Sequence, residues 1–432
     1  MKLLVYSHSM QIGGSQIVSI ILGGAMRDRG YDVVLAGPPG PLAELVASQG
    51  LPFFEIPRRT DRKPSARSIA ALRRLIKHEG VGLVHAYSHS ACIEAFFAGY
   101  VSQGLPLICS ARGRVAPRPF PRFLPMIVAQ AYVGEEALRL GQRHVYLMRP
   151  VVDTDANGPL AEVPDLREDL DISDEAANLV LVSRLGKSVK LEGVERAIQA
   201  VAALAERMPV RLIIVGDGPA RPSLTEQAEI VNRRFPRSVV VLTGEMVDPR
   251  PAYAIADVVL GMQGAILRGM AFAKPAIVLG ERGYSEVVTP DTVGWFLEDQ
   301  FYGVGDGDLS PARLVEQVAE LLADPDLRER LGTLGRDVVC ENVSLRAAAD
   351  LLERIYETHG RGKPTRPRRL VEGLRFSDAF IWRRLTGQST RGGWHRRERG
   401  VKGLERPQAD PGPERALDGV VNVSIRSDDE GR

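Results

Sequence analysis

Short runs of consecutive apolar residues recur along the first 150 positions, bounded by Gly, Pro or Ser: KLLVYS (2–7), DVVLAG (32–37), GLVHAY (82–87), PLICS (106–110) and HVYLM (144–148). Between them, segments such as SQIVSIILGGAMRDRG (15–30) and SARSIAALRRLIKHEG (65–80) place apolar residues at helical spacing. Apolar strands alternating with helices imply a parallel sheet covered on both faces. Residues 151–170 are polar, proline-bearing and without a period, and read as a linker. The alternation restarts with NLVLVS (178–183), RLIIVG (211–216), SVVVLTG (238–244), DVVLG (257–261) and PAIVLG (275–280). VSLRAAADLLERIYETH (343–359) reads as a closing helix. The expected plan is α/β, with two doubly wound Rossmann-like domains, 1–150 and 171–360, facing an interdomain cleft. A tail, 361–432, follows. Ligands of such sheets bind beyond the carboxyl ends of the strands.

The tail is set apart by charge. It holds 17 Lys+Arg against 10 Asp+Glu in a chain of net charge +2, so the preceding part is mildly acidic. Its only core-like pattern is LRFSDAFIWRRL (374–385), and it is expected to be largely disordered. On a helix, Phe376, Phe380, Ile381, Trp382 and Leu385 share a broad face beside Arg375, Arg383 and Arg384. That combination suits the surface of an anionic membrane, or a strip that packs on the domains. No apolar run reaches the roughly 18 residues of a membrane span. MKLLVYSHS turns polar too soon for a secretory leader and reads as a first buried strand. Three cysteines, Cys92, Cys109 and Cys340, lack metal or disulfide spacing and read as buried thiols of a cytoplasmic protein. Nothing in the pattern calls for nucleic acid.

Candidate chemistry collects at strand ends. In RLIIVGDGPARPSL, a strand ends at Val215 and turns through Gly216 and Gly218 into a helix. The turn is either a phosphate cradle or a plain strand-to-helix connection. In VSRLGKSVKLEG, Arg184 follows a strand, with Lys187 and Lys190 in the next loop. These cations suit a diphosphate, or form a solvated basic loop. Gly13 and Gly14 lie between the first strand and first helix, where Ser15 is placed to cap. His8, His85 and His89 have no convincing metal-ligand setting, and His85 falls inside a buried strand.

Taken in order, the segments GGSQ, VVDTD, SRLGKSVKLEG, IIVGDGPARPSL, VVLTGEMVDPRPAYAIADVVL and RGMAFAKPAIVLGERGYSEVV resemble a retaining GT-B glycosyltransferase of the family-4 type, over roughly residues 1–358. The resemblance implies a nucleoside-diphosphate-sugar donor, an acceptor of the glycan, lipid or small-molecule class, and no cofactor or obligatory metal. It puts Arg184 and Lys190 at the donor diphosphate, with Lys187 as a rival. Gly216 and Gly218 would lie near the nucleotide, Leu242, Thr243 and Gly244 at its base, and Gly13 and Gly14 near the donor phosphate or acceptor.

Two positions depart from the family pattern. A glutamate that accepts hydrogen bonds from the ribose precedes a small-Met-Ala triplet in the family. Here Arg268 precedes Gly269, Met270 and Ala271, on a helix expected to begin near Gly264. Guanidinium only donates. A histidine that often lines the reacting sugar is replaced by Arg112, before Gly113. Arg112 and Arg268 are therefore the candidate catalytic positions. Three readings stay open: a different ribose clamp, an unusually anionic donor or acceptor, or a degenerate member that binds a ligand or partner without turnover.

Overall fold

A computed structural model describes residues 1–57, 64–113, 115–170, 172, 175–186, 190–362 and 364–385. Two compact units emerge: Met1–Arg149 with the chain from Arg346 onward, and Pro150–Leu345.

The first unit holds seven parallel strands: β1 (Lys2–Ser7), β2 (Asp32–Gly37), β3 (Phe53–Glu55), β4 (Leu83–Tyr87), β5 (Leu107–Ala111), β6 (Met126–Val128) and β7 (Val145–Leu147). Their order is β3-β2-β1-β4-β5-β6-β7. The second unit has β8 (Ala177–Val182), β9 (Val210–Val215), β10 (Val240–Gly244), β11 (Val258–Gly261), β12 (Ala276–Leu279) and β13 (Ser285–Val287), in the order β10-β9-β8-β11-β12-β13. Among the described strands only β13 runs antiparallel. Burial on both faces explains the unbroken Val, Leu and Ile runs: β4, β5, β9 and β11 are buried throughout. Each sheet reverses its winding once, between β1 and β4 and between β8 and β11. These switch points open a crevice beyond the strand ends.

Three short strands, β3, β6 and β13, were not expected, because three residues show no period. Other expectations need correction. Residues 151–170 are not a free linker. They lie on the second unit, where Val152 bridges to Ser344, its amide donates to the Val343 carbonyl at 2.9 Å, and Leu166 is buried. The Leu345–His359 helix does not close the second domain; from Arg346 it packs on the first unit. Arg29 pairs there with Asp350 and Glu353, and Tyr356 packs edge-on to Tyr31. The chain just beyond 361 is not a disordered tail either. Residues Arg366–Leu385 form a helix on the first unit, where Phe376 is 6% exposed and sits against Phe96 and Phe97. The side chains of Phe380, Ile381, Trp382, Arg383, Arg384 and Leu385, and all of 386–432, lie outside the described residues. Cys92 and Cys109 are buried thiols, whereas Cys340 is only half-buried.

Candidate functional site

In the second unit the loop after β8 carries Arg184, and the helix that follows begins after Lys190 at Leu191. Arg184 is exposed and Lys190 half-buried. Among the described residues neither is paired with a carboxylate. Burial, and then the charge of Arg184, hold the Lys190 ammonium below the usual lysine range. The charge of Arg184 thus reaches Lys190, which stands at the first-turn amides of a 15-residue helix. A hollow reaches from Ser183 and Lys190 across to Gly261 and Met262 at the end of β11, which is the switch-point crevice of this sheet. Lys187 lies outside the described residues.

The two glycines of the GDGP turn hold this loop in place. Gly216 has φ +142° and Gly218 φ +154°. A Cβ on Gly216 would lie 1.9 Å from the Ser183 carbonyl oxygen, and one on Gly218 2.5 Å from that of Leu185. The backbone that they admit is thus the Arg184 loop itself. Leu185 N–H donates to the Asp217 carbonyl and Ala220 N–H to that of Leu185, both at 2.9 Å. Gly244 joins the same junction, its carbonyl accepting from Gly216 N–H at 2.8 Å. Thr243 donates its hydroxyl to the Gly244 carbonyl at 3.0 Å. Leu242 packs against the core.

Arg268 lies on the Gly264–Ala271 helix, with Met270 and Ala271 fully buried. Gly264 has open space where a side chain would stand. Just before it, Gln263 is held at φ +56° and ψ −135°, a backbone conformation rare for a non-glycine residue. Among the described residues the Arg268 side chain makes no hydrogen bond or ion pair. Its charge reaches Asp248 and the Tyr253 hydroxyl. That hydroxyl is buried and, among the described residues, has no hydrogen-bond partner. Burial pushes it well above the usual phenol range, and Arg268 opposes the push. Burial also disfavours the Asp248 carboxylate, but hydrogen bonds from Arg250 Nε at 2.8 and 2.9 Å outweigh it and hold the group ionised. Residue-by-residue reading missed Asp248, Tyr253 and the Ser183–Met262 hollow. The D-x-R spacing of Asp248 and Arg250 was the one available signal.

In the first unit, Gly13 caps the Gly14–Asp28 helix with its backbone, and its φ of −176° is ordinary extended chain. Ser15 does not cap, because it lies inside the first turn and donates to Gln16 Oε1 at 3.0 Å. A Cβ on Gly14 would meet nothing within 4 Å. Arg112 is hydrogen-bonded within its own unit. Its guanidinium donates to the carbonyls of Met148 at 3.4 Å and Arg149 at 3.2 Å, which fixes the chain as it leaves β7. Burial lowers its pKa and the nearby Tyr87 hydroxyl opposes that. His85 has both ring nitrogens in use, one with the Tyr356 hydroxyl at 2.6 Å and one with Ser110 Oγ at 2.9 Å. Burial, aided by Arg112, lowers it to about 3. It is a neutral core histidine. His89 bonds the Pro119 carbonyl at 2.9 Å.

Residues 12–142 match the Glycosyltransferase Family 4 model and residues 176–324 the Glycosyl transferases group 1 model, together well over half of the sequence. The chain belongs to the GT-B glycosyltransferases. Within this group it is similar to an alpha-D-kanosaminyltransferase of Streptomyces kanamyceticus, with 28% identity over 48% of this chain and 51% of the relative. It is also similar to an alpha-maltose-1-phosphate synthase of Mycolicibacterium smegmatis, with 25% identity over 54% and 62%. The GT-B chain thus spans about half to three fifths of the length of these curated relatives. A glycosyltransferase from Rickettsia africae shares the fold at a TM-score of 0.66 and 15% identity, over 84% of this chain and 99% of that one. Anabaena HepE in complex with UDP and glucose does so at 0.62 and 15%, over 83% and 99%.

Proposed function

We propose that this chain transfers a sugar from a nucleoside-diphosphate-sugar to an acceptor, with retention of anomeric configuration. The observation that carries the reading is the pair Arg184 and Lys190. Among the described residues they are cations without carboxylate partners: Arg184 stands on the loop after β8, its charge reaches Lys190, and Lys190 stands at a helix N-terminus beside the switch point of the unit that matches the group 1 model. A half-buried lysine disfavoured by burial and by a like charge is relieved by a dianion, so a diphosphate gains from both terms. As the sugar–phosphate bond breaks, Arg184 and Lys190 would meet the charge that develops on the leaving nucleoside diphosphate. On this reading that neutralisation comes from side chains and helix amides, without an obligatory metal. UDP is the first probe, since HepE is seen with UDP.

Arg268 fits an active site with altered contacts better than a lost one. A cation with no partner of its own, beside a buried hydroxyl with none, is suited to a negatively charged group on donor or acceptor.

Calorimetric titration with UDP and GDP tests the proposal. A charge-assisted hydrogen bond is worth about 1.5–3 kcal/mol, so Arg184→Ala and Lys190→Ala should each weaken binding about 10- to 150-fold. If neither nucleotide binds, or the variants bind as the parent does, the diphosphate assignment fails.

A further inference from the structure

The Arg366–Leu385 helix lies on the first unit with one side inward. Gly373 crosses close to Val101, where a Cβ would stand 3.2 Å from Cγ1, Arg369 Nη1 donates to the Val101 carbonyl at 3.4 Å, and Phe376 is buried. Positions 369, 373 and 376 thus define the inner side. The outer side is apolar: Leu370 is 51% exposed, Val371 45% and Leu374 66%. Arg366, Arg368 and Arg375 are exposed too, and at 100° per residue they flank this apolar strip on both sides. Of the two acids on the helix, Glu372 pairs with Arg375 at 3.9 Å and has 26% of its side chain exposed, and the Asp378 side chain lies outside the described residues.

A second basic helix, Ala66–His78, packs against the same element of the first unit, the Phe96–Val101 turn, and Gln103 Nε2 donates to the Arg73 carbonyl at 3.1 Å. Its charged residues are all basic, and Arg67, Arg73, Arg74 and Lys77 are exposed.

We propose that this face docks the first unit on an anionic lipid surface, with Leu370, Val371 and Leu374 entering the headgroup–acyl boundary and the arginines meeting lipid phosphates. An apolar strip flanked by arginines uses both contacts there. A nucleic acid would engage the cations and leave three exposed aliphatic side chains without a role. No described helix is long and apolar enough to cross a membrane, so the contact lies in the plane of the surface. The inference is independent of the donor site.

The test is co-sedimentation of the full chain with phosphatidylcholine vesicles, with and without phosphatidylglycerol. Binding is expected on the anionic vesicles only, and should weaken with added salt. Each arginine near such a surface contributes about 1 kcal/mol, so Arg366→Gln, Arg368→Gln and Arg375→Gln together should weaken it roughly a hundredfold. Leu370→Ser with Leu374→Ser should weaken it at least tenfold, with melting temperature and UDP titration unchanged. Equal binding to both vesicle types, no binding, or leucine variants that bind as the parent does would overturn the proposal. So would tight binding of an RNA oligomer, unaffected by the leucine changes, in place of vesicle binding.

Discussion

Replacing Gly216 by alanine puts a methyl group 1.9 Å from the Ser183 carbonyl oxygen, at a φ of +142° that only glycine adopts readily. Neither partner is a flexible side-chain end, so backbone must move by more than an ångström. The conformational strain costs about 1–3 kcal/mol. Moving the loop also disturbs the bonds Ser183 N–H to Val215, Leu185 N–H to Asp217 and Gly216 N–H to Gly244, each worth roughly 1 kcal/mol. With all three bonds lost the expected cost is about 4–6 kcal/mol, unless the Arg184 loop swings away and relieves part of it. In that case stability is less affected and nucleotide affinity falls, because Arg184 is displaced. Chemical denaturation and UDP titration on the same variant separate the two outcomes. Gly14→Ala is the contrast, since its Cβ meets nothing and a helical alanine is worth roughly 0.5–1 kcal/mol over glycine. It should be neutral or stabilising, and should weaken ligand binding only if a ligand approaches Gly14 closely. A Gly216→Ala protein with parental stability and parental affinity would refute the account of the turn.

Arg268→Glu puts a second carboxylate near Asp248 and removes the cation beside Tyr253. Calorimetry should show weaker binding of the best UDP-sugar, by about tenfold or more if one charge-assisted contact is lost. Stronger binding would mean that an ordinary ribose acceptor had been restored, and would favour the degenerate reading. Acid should destabilise the chain through His85. Its folded value of about 3, lowered by burial and then by Arg112, lies below the unfolded 6.5. The contribution is therefore complete above pH 6.5 and is lost as pH falls towards 3. That amounts to about 3 kcal/mol by pH 4.5, from 1.36 kcal/mol per pH unit. Urea midpoints measured across this range should fall less steeply in His85→Gln, and an identical slope would refute the assignment.

The sheet architecture was legible because each long strand is buried on both faces and so appears as an unbroken apolar run. The Arg184 loop and GDGP turn were legible for a related reason: strand, turn and helix are contiguous there. What stayed hidden depends on partners far along the chain. Nothing in the sequence around Arg112 points to its carbonyl partners at 148 and 149. Tyr356 reads as part of a closing helix until it meets His85, 271 positions earlier. The glycines at 216 and 218 left a phosphate cradle and a plain strand-to-helix turn both open, and the local pattern carries no sign of the Ser183 and Leu185 backbone that they admit. Phe376 belonged to a pattern shared by a membrane strip and a packed helix, and only the Phe96 ring shows which side of it is core.

The return of the chain to its first unit has a consequence for synthesis. The second unit, Pro150–Leu345, is continuous in sequence, and Val152 and Ser344 beside its two ends are bridged. It is complete once those residues have emerged. The first unit begins earlier but finishes later. Until residues 346–376 emerge, His85 lacks the Tyr356 hydroxyl, Arg29 lacks its carboxylates, and Phe96 and Phe97 lack Phe376. Domains that are contiguous mature in the order in which they leave the ribosome. Here that order is inverted: the inserted unit closes first, while the amino-terminal sheet waits with part of its core uncovered for the last helices.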